Sequence, residues 1–226
     1  STETGSAISY TWWESDKVGI GLPVPGARLK LVPAGQAYEV RVKAASVTPG
    51  YFNDSARDAE AFDEEGWLRM GDLADFHDPE RPLEGLYFAG RTGEQFKLGN
   101  GAFVAGGRVR GQVLAACPGL FRDVVVCGDG QDMLALMAWP DDAAWARLGV
   151  DGVAEAAREG LRRHNAAHPG QTERIARLLF LSEPPSVGGQ EVSDKGSINR
   201  AAVLKRRAAD VERLYAREPG PDVFLI

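Results

Sequence analysis

The feature that most limits what this chain can become is a change of hydrophobic period near residue 94. Before it, Arg28-Leu29-Lys30-Leu31-Val32 and Tyr38-Glu39-Val40-Arg41-Val42 alternate polar and apolar residues, the period of a half-buried sheet. Pro23, Pro25-Gly26, Pro33 and Pro49-Gly50 punctuate these runs as turns. Only Asp54 to Ala61 suggests a helix there. After residue 94 the patterns mix. Phe103 to Ala116 reads as a strand end entering a helix, with Val109, Val113 and Ala116 on one face. Val124-Val125-Val126 and Met133 to Trp139 read as a hairpin joined at Gly128-Asp129-Gly130. A helix over Val153 to Ala167 carries the stripe Val153, Ala157 and Leu161. Ile175 to Leu181 is a further strand, and Asn199 caps a last helix whose Leu204, Val211 and Leu214 face inward. The expectation is an α+β chain in two domains, a β-rich one over 1–93 and a small α+β one over 94–226.

A chain of 226 residues can bury two small cores. The net charge of −6 argues against a general binder of nucleic acid or of acidic membranes. Cys117 and Cys127 are the only cysteines, too few for a disulfide framework or a thiolate metal site, so a cytoplasmic location is expected. No apolar run approaches the roughly 18 to 20 residues of a membrane span, and no signal peptide opens the chain. It begins Ser-Thr-Glu-Thr-Gly, without Met, as if cut from something longer.

The chemistry concentrates between Gly66 and Gly101. Gly71-Asp72-Leu73 reads as an acidic turn, Leu86 to Ala89 as a strand, and Gly90-Arg91 as a second turn, followed by Glu94, Lys97, Gly99 and Gly101. A carboxylate can accept from two vicinal hydroxyls and an arginine can share the task, so Asp72 and Arg91, each at the end of a short strand, can grip a polar ligand such as a ribose. Gly99, Gly101 and Gly106 have the wrong spacing for a dinucleotide fingerprint. His164 and His168 are four apart, but the run lacks the intervening Glu of a zinc helix and meets Pro169. Lys205-Arg206-Arg207 reads as a solvated face, and Trp12-Trp13 as core.

Four motifs in order resemble the adenylate-forming enzymes, the acyl- and aryl-CoA ligases and their relatives: Thr2-Glu3-Thr4, Gly71-Asp72-Leu73, Gly90-Arg91 with Glu94 and Lys97, and the loop around Lys195. The run Asp63-Glu64-Glu65-Gly66-Trp67 ahead of Gly71-Asp72 strengthens the likeness, with Met70 where the family more often has threonine. The resemblance implies a distorted, barrel-like β-rich subdomain followed by a small mobile C-terminal domain. It places Thr2 and Glu3 beside ATP and Mg²⁺, with Glu3 as the metal's carboxylate. It places Asp72 and Arg91 on the ribose hydroxyls, Glu94 at the hinge and Lys195 as the catalytic lysine. Lys97, Gly99 and Gly101 would form a bare face past which the pantetheine arm of coenzyme A runs, though a plain hairpin turn accounts for these glycines equally.

Finer runs, Leu29-Lys30-Leu31-Val32-Pro33, Val47-Thr48-Pro49-Gly50-Tyr51, Phe96-Lys97-Leu98 and Ser193-Asp194-Lys195-Gly196, resemble the bacterial feruloyl-CoA (hydroxycinnamate–CoA) synthetases. That branch implies ferulate or a similar hydroxycinnamate as the acid and CoA as the acceptor. The family's upstream phosphate loop has no counterpart in these residues, so the resemblance covers the C-terminal part alone, and the isolated chain is expected to be inactive. Alternatives are an adenylation domain that loads a carrier protein or reductase, and a non-catalytic nucleotide-binding fragment.

Overall fold

A computed structural model of the protein describes residues 2–5, 9–10, 19–35, 37–193 and 196–226. The expectations on Trp12, Trp13 and Lys195 therefore lie outside the described residues. Two compact units follow one another, Ser1–Thr92 and Gly93–Ile226.

Among the described residues, the first unit is one antiparallel sheet of six strands with one short α-helix. In chain order these are β1 (Ser9–Tyr10), β2 (Gly19–Pro23), β3 (Arg28–Ala34), β4 (Ala37–Lys43), α1 (Ser55–Ala61), β5 (Leu68–Phe76) and β6 (Leu86–Arg91). They line up as β1-β2-β6-β5-β4-β3. The alternation read from the sequence is visible in β4, where Val40 and Val42 are buried and pack with Leu29, Leu31, Met70 and Phe76. Met70 thus fills the core of this sheet.

The opposite face of β4 is charged. Arg41 pairs with Glu39 (2.6 Å) and Asp63 (2.9 Å), and Lys30 with Glu65 (3.0 Å). Asp63 also accepts from the backbone N–H of Trp67 (2.9 Å) and of Glu65 (3.1 Å), which folds the Asp63–Trp67 run into a turn. Burial alone would raise the Asp63 carboxyl, but these hydrogen bonds and the Arg41 and Lys30 charges hold it at about 2.

Two expectations are corrected here. The sheet is open, not barrel-like: β1 and β3 are its edges and do not pair with each other among the described residues. Closure needs hydrogen bonding between the outermost strands, whereas β1 has two residues and β3 contains Pro33, which has no N–H to give. Pro33 is accordingly not a turn residue but part of an edge strand, where a missing donor costs little.

The second unit contains β7 (Gln95–Lys97), β8 (Phe103–Ala105), α2 (Gly106–Ala116), β9 (Phe121–Cys127), β10 (Leu134–Pro140), α3 (Asp142–Ala167), β11 (Ile175–Phe180), α4 (Arg200–Arg206), α5 (Ala208–Tyr215) and β12 (Val223–Leu225). β7 and β8 form a two-stranded ribbon, and a four-stranded sheet runs in the order β12-β11-β10-β9. The β9–β10 pair is antiparallel as expected, while β10 and β11 are parallel with α3 as the crossover. Helices cover both faces of the sheet. Val109 and Val113 of α2 and Ala157 and Leu161 of α3 pack on Val124, Val126, Leu134 and Leu136. Val203 of α4 and Leu214 of α5 pack on Val125, Ala135, Met137 and Leu179. Every residue of β10 from Leu134 to Trp139 is consequently buried, and its sequence is a continuous apolar run.

α3 starts earlier than its stripe suggests. Asp141 caps it, accepting from Ala143 and Ala144, and the first segment turns into the striped one at Gly149, whose backbone leaves the helical region. The single last helix expected after Asn199 is two helices, broken at Arg207. Arg207 is also not part of a solvated face. It is 8% exposed and paired with Glu191, which is fully buried.

Candidate functional site

In the first unit, Asp72 and Arg91 come together. They are register partners on β5 and β6. Arg91 ends its strand as expected, but Asp72 lies in the middle of a nine-residue strand and not at a strand end. What re-aims it is irregularity. The register of β5 shifts against β4 between Glu39 and Arg41, and against β6 between Leu73 and Ala74. Gly71 (φ 71°) and Gly90 (φ 112°) supply the left-handed backbone at these bulges.

The Arg91 Nε stands 3.3 Å from the Asp72 Oδ1. This is an ion-pair distance without hydrogen-bond alignment, and Oδ1 is buried with no hydrogen-bond partner. Burial raises the Asp72 carboxyl above its ordinary range, with the Arg91 charge opposing. Arg91 is 64% exposed and Asp72 23%, so one partner is fixed in the sheet and the other is free to meet a ligand. A vicinal diol fits the pair. Its hydroxyls can donate to the orphaned oxygen, and the guanidinium can donate to the same ligand.

Thr2 and Glu3 stand on a 3-10 turn, Thr2–Thr4, held against the loop that precedes α1. The Glu3 carbonyl accepts from the Thr48 N–H (2.8 Å), and its carboxylate accepts from the Tyr51 hydroxyl (3.3 Å). No group of three or more His, Cys, Asp or Glu side chains that could hold a metal ion occurs among the described residues. A Mg²⁺ ion at Glu3 would therefore need nucleotide phosphates and water to complete its oxygen shell, a set that suits this ion.

In the second unit, the expected coenzyme A face lies on the β7–β8 ribbon. Lys97 sits opposite Phe103 in register and its Nζ lies 4.5 Å from that ring's centre. Gly101 closes the turn through its N–H to Leu98 (2.9 Å). Gly99 backs onto the β9–β10 turn, donating to the Gln131 carbonyl (2.8 Å), where a Cβ would come within 3.1 Å of the Gly130 carbonyl oxygen. Glu94 faces the N-terminus of α2: a Cβ at Gly106 would stand 2.5 Å from its carbonyl oxygen, and one at Gly107 would overlap its carboxylate.

Lys195 itself is outside the described residues, but both flanks of its loop are held firmly. On the N-terminal side Arg207 donates to Glu191 (2.8 and 3.1 Å) and to the carbonyls of Glu183 and Pro184, while the Ser186 N–H donates to Glu191 (2.7 Å). On the C-terminal side Arg200, 11% exposed, is paired with Asp129. It also donates to the Val126 carbonyl (2.9 Å) and stacks 4.0 Å from the centre of the Phe96 ring. Val192 and Ile198 form a β-bridge between the two flanks. Sequence reading missed both clamps. His164 bonds the Glu173 carbonyl oxygen through Nε2 (2.9 Å), a structural use.

Residues 94–219 match the family model described as the AMP-binding enzyme C-terminal domain. A Mycobacterium tuberculosis protein named as a candidate fatty-acid–CoA ligase is 27% identical over 219 residues, 91% of this chain and 37% of that protein. Long chain acyl-CoA synthetase 8 of Arabidopsis thaliana is 27% identical over 251 residues, covering 95% of this chain and 34% of the relative. Among solved structures, the A domain of a carboxylic acid reductase from Segniliparus rugosus, in complex with AMP and a co-purified carboxylic acid, superposes with a TM-score of 0.72. It is 23% identical, covers 90% of this chain and 34% of its own, and shows the same fold. The chain spans little more than a third of the length of the curated relatives it matches. With more than half of its residues matched, the chain belongs to the AMP-binding enzyme C-terminal domain family, within the adenylate-forming superfamily.

Proposed function

We propose that this chain is the C-terminal part of an ATP-dependent acid–thiol ligase, which activates a carboxylic acid as its acyl-adenylate and passes the acyl group to coenzyme A, releasing AMP and pyrophosphate. The observation that carries the reading is the Asp72–Arg91 pair, a buried carboxylate oxygen without a partner beside an exposed guanidinium. In this reading Asp72 accepts from the ribose hydroxyls and Arg91 donates to the same sugar. Thr2 and Glu3 stand at the phosphates, and Mg²⁺, when bound there, neutralises phosphate charge. Lys195 supplies a point cation where the acid's carboxylate meets the α-phosphate and negative charge accumulates. Glu94 lies at the hinge between the two units, and Lys97, Gly99 and Gly101 form the face that admits CoA. The chain alone is inactive in this reading, because half of each binding surface is supplied by sequence upstream.

The finer part of the proposal is the acid. The runs at 29–33, 47–51, 96–98 and 193–196 support a hydroxycinnamate such as ferulate. The names of the relatives, which refer to fatty and long-chain acids, support an aliphatic acid as a second reading. A carboxylic acid reductase among the relatives, 27% identical over 79% of this chain, supports a carrier-protein thiol as the alternative acceptor.

The test supplies the full-length protein with ATP, Mg²⁺, CoA and a panel of hydroxycinnamates, benzoates and fatty acids. AMP release and thioester absorbance are followed, with Lys195→Ala alongside. Thioester from ferulate or coumarate, with adenylation lost in the variant, is the expected result. Thioester from fatty acids alone moves the substrate to the second reading. Acyl-adenylate without thioester moves the acceptor to a carrier protein. No adenylate from any acid refutes the ligase and leaves a non-catalytic nucleotide-binding role.

A further inference from the structure

None of the residues of α1 is buried, so core packing alone does not explain its place. Its side chains reach back to the loop in front of it. The Asp54 carboxylate caps the helix through the Arg57 N–H (3.0 Å). Asp58 accepts from the Tyr51 N–H (2.7 Å), and the Arg57 guanidinium lies 4.0 Å from the centre of the Tyr51 ring. Tyr51 is thus held at its backbone and at its ring. Gly50 makes room for this, since a Cβ there would come within 2.9 Å of the Asp58 carboxylate. The phenol hydroxyl is left to point at the Thr2–Thr4 turn, where it donates to Glu3 Oε1 (3.3 Å), 48 residues upstream. The same loop holds the backbone of that turn. The Glu3 carbonyl accepts from the Thr48 N–H (2.8 Å), and the Thr48 hydroxyl donates to the Gly50 carbonyl (2.8 Å).

We propose that Tyr51 is a positioning residue for a divalent cation at Glu3, and that α1 is the mount that holds Tyr51 in place. The proposal rests on the ligase reading above, which puts Mg²⁺ and the nucleotide phosphates at Glu3. Glu3 stands on a turn of three residues, and a glutamate side chain has several rotamers open to it. A cation that had to select one of them would lose affinity to that ordering. A hydroxyl bonded to one carboxylate oxygen fixes the plane of the group before the cation arrives, so the ordering is completed on folding. Mg²⁺ gains most from this, because it demands near-ideal octahedral geometry. Hydrogen-bonded partners of ligating carboxylates govern metal affinity for the same reason.

The test uses the full-length protein and Mn²⁺, an oxygen-seeking stand-in for Mg²⁺ that electron paramagnetic resonance detects directly. With a non-hydrolysable ATP analogue present, the unsubstituted protein is expected to bind Mn²⁺ and Glu3→Gln to lose it. Tyr51→Phe removes the hydroxyl but keeps the ring under Arg57. It is expected to weaken Mn²⁺ binding by about 10- to 100-fold. Arg57→Gln, at an exposed position, removes the cation from the ring face and is expected to weaken it by about threefold. In adenylation assays the Mg²⁺ concentration for half-maximal rate should rise in the same order, with the rate at saturating Mg²⁺ nearly unchanged. AMP, added without metal, should bind Tyr51→Phe as well as it binds the unsubstituted protein.

Mn²⁺ binding that survives in Tyr51→Phe but is lost in Glu3→Gln overturns the proposal and leaves the ligase reading standing. An equal loss of AMP affinity in Tyr51→Phe also overturns it, because Tyr51 would then only support the fold. If Tyr51→Phe does not fold, Arg57→Gln decides, and unchanged Mn²⁺ affinity in that variant overturns the proposal. No Mn²⁺ bound by the unsubstituted protein with the analogue in place refutes the cation at Glu3 itself, and the positioning role with it.

Discussion

The buried pair Glu191–Arg207 offers the sharpest test of the energetics of the second unit. Glu191→Ala removes both oxygens that accept from Arg207, at 2.8 and 3.1 Å, and the acceptor of the Ser186 N–H. The guanidinium, in a residue 8% exposed, then keeps the carbonyls of Glu183 and Pro184 and the face of the Trp139 ring, but no anionic partner to Nε. Stranding a buried charge in this way costs about 3–5 kcal/mol, so urea unfolding of the variant should show that loss and Tm should fall by about 10 °C. Replacing both partners with apolar residues, Glu191→Leu with Arg207→Met, should recover much of it, since the desolvation penalty leaves with the charges.

The pair also predicts an acid limb. Burial alone would raise the Glu191 carboxyl from its ordinary 4.5, but the hydrogen bonds from Arg207 and Ser186 outweigh burial and lower it. A depressed folded pKa contributes stability that is complete above the ordinary value and lost as pH falls through the folded one. Glu191→Gln should therefore flatten stability against pH in that window. A loss below about 1 kcal/mol in Glu191→Ala would mean that water reaches the pair, as at surface bridges, and would refute the argument.

Further outcomes follow from the geometry of the two units. If Asp72 holds the ribose as proposed, Asp72→Asn in the full-length protein should weaken AMP binding by about tenfold or more, measured calorimetrically, through the loss of charge-assisted hydrogen bonds. The same change should raise Tm at neutral pH. Burial raises the folded pKa of Asp72, so its stabilising form is the protonated one, which is lost as pH rises through that value. Arg200→Ala should cost about 2 kcal/mol in urea unfolding through the lost Asp129 pair, Val126 hydrogen bond and Phe96 stack, and Arg200→Lys should restore little of it. Burial pushes the thiols of Cys117 and Cys127 up to about 11 and about 12, so neither should react with iodoacetamide at pH 8 until the chain is unfolded.

Much of the architecture was legible where packing simply follows periodicity. β4 declares its buried face through Val40 and Val42, β10 its burial on both faces through an unbroken apolar run, and α3 its inner stripe through Val153, Ala157 and Leu161. Features set by tertiary pairing were not legible. Arg207 sits in a basic run that looks solvated, and its charge is compensated by Glu191, 16 residues away. The Gly71-Asp72-Leu73 run singled out Asp72 as a candidate, but its place inside a strand depends on register shifts that no local pattern encodes. The contact of Glu94 with Gly106 and Gly107 joins residues 12 and 13 positions apart, across the turn of the β7–β8 ribbon. Motif spacing marked Asp72 and Glu94 but could not say what each one touches.

The parallel pairing of β10 with β11 also sets the order in which the second unit can assemble. β9 and β10 are neighbours joined by a short turn, and such hairpins close on the microsecond scale. β11 cannot join until the 26 residues of α3 have been laid across the sheet between them. The entropy of closing that crossover is lost before its long-range contacts form. The hairpin should thus belong to the folding nucleus and the β11 edge to a later step. Trimming Val126 or Leu136 should slow refolding, whereas trimming Leu179, where β11 meets β12, should chiefly hasten unfolding.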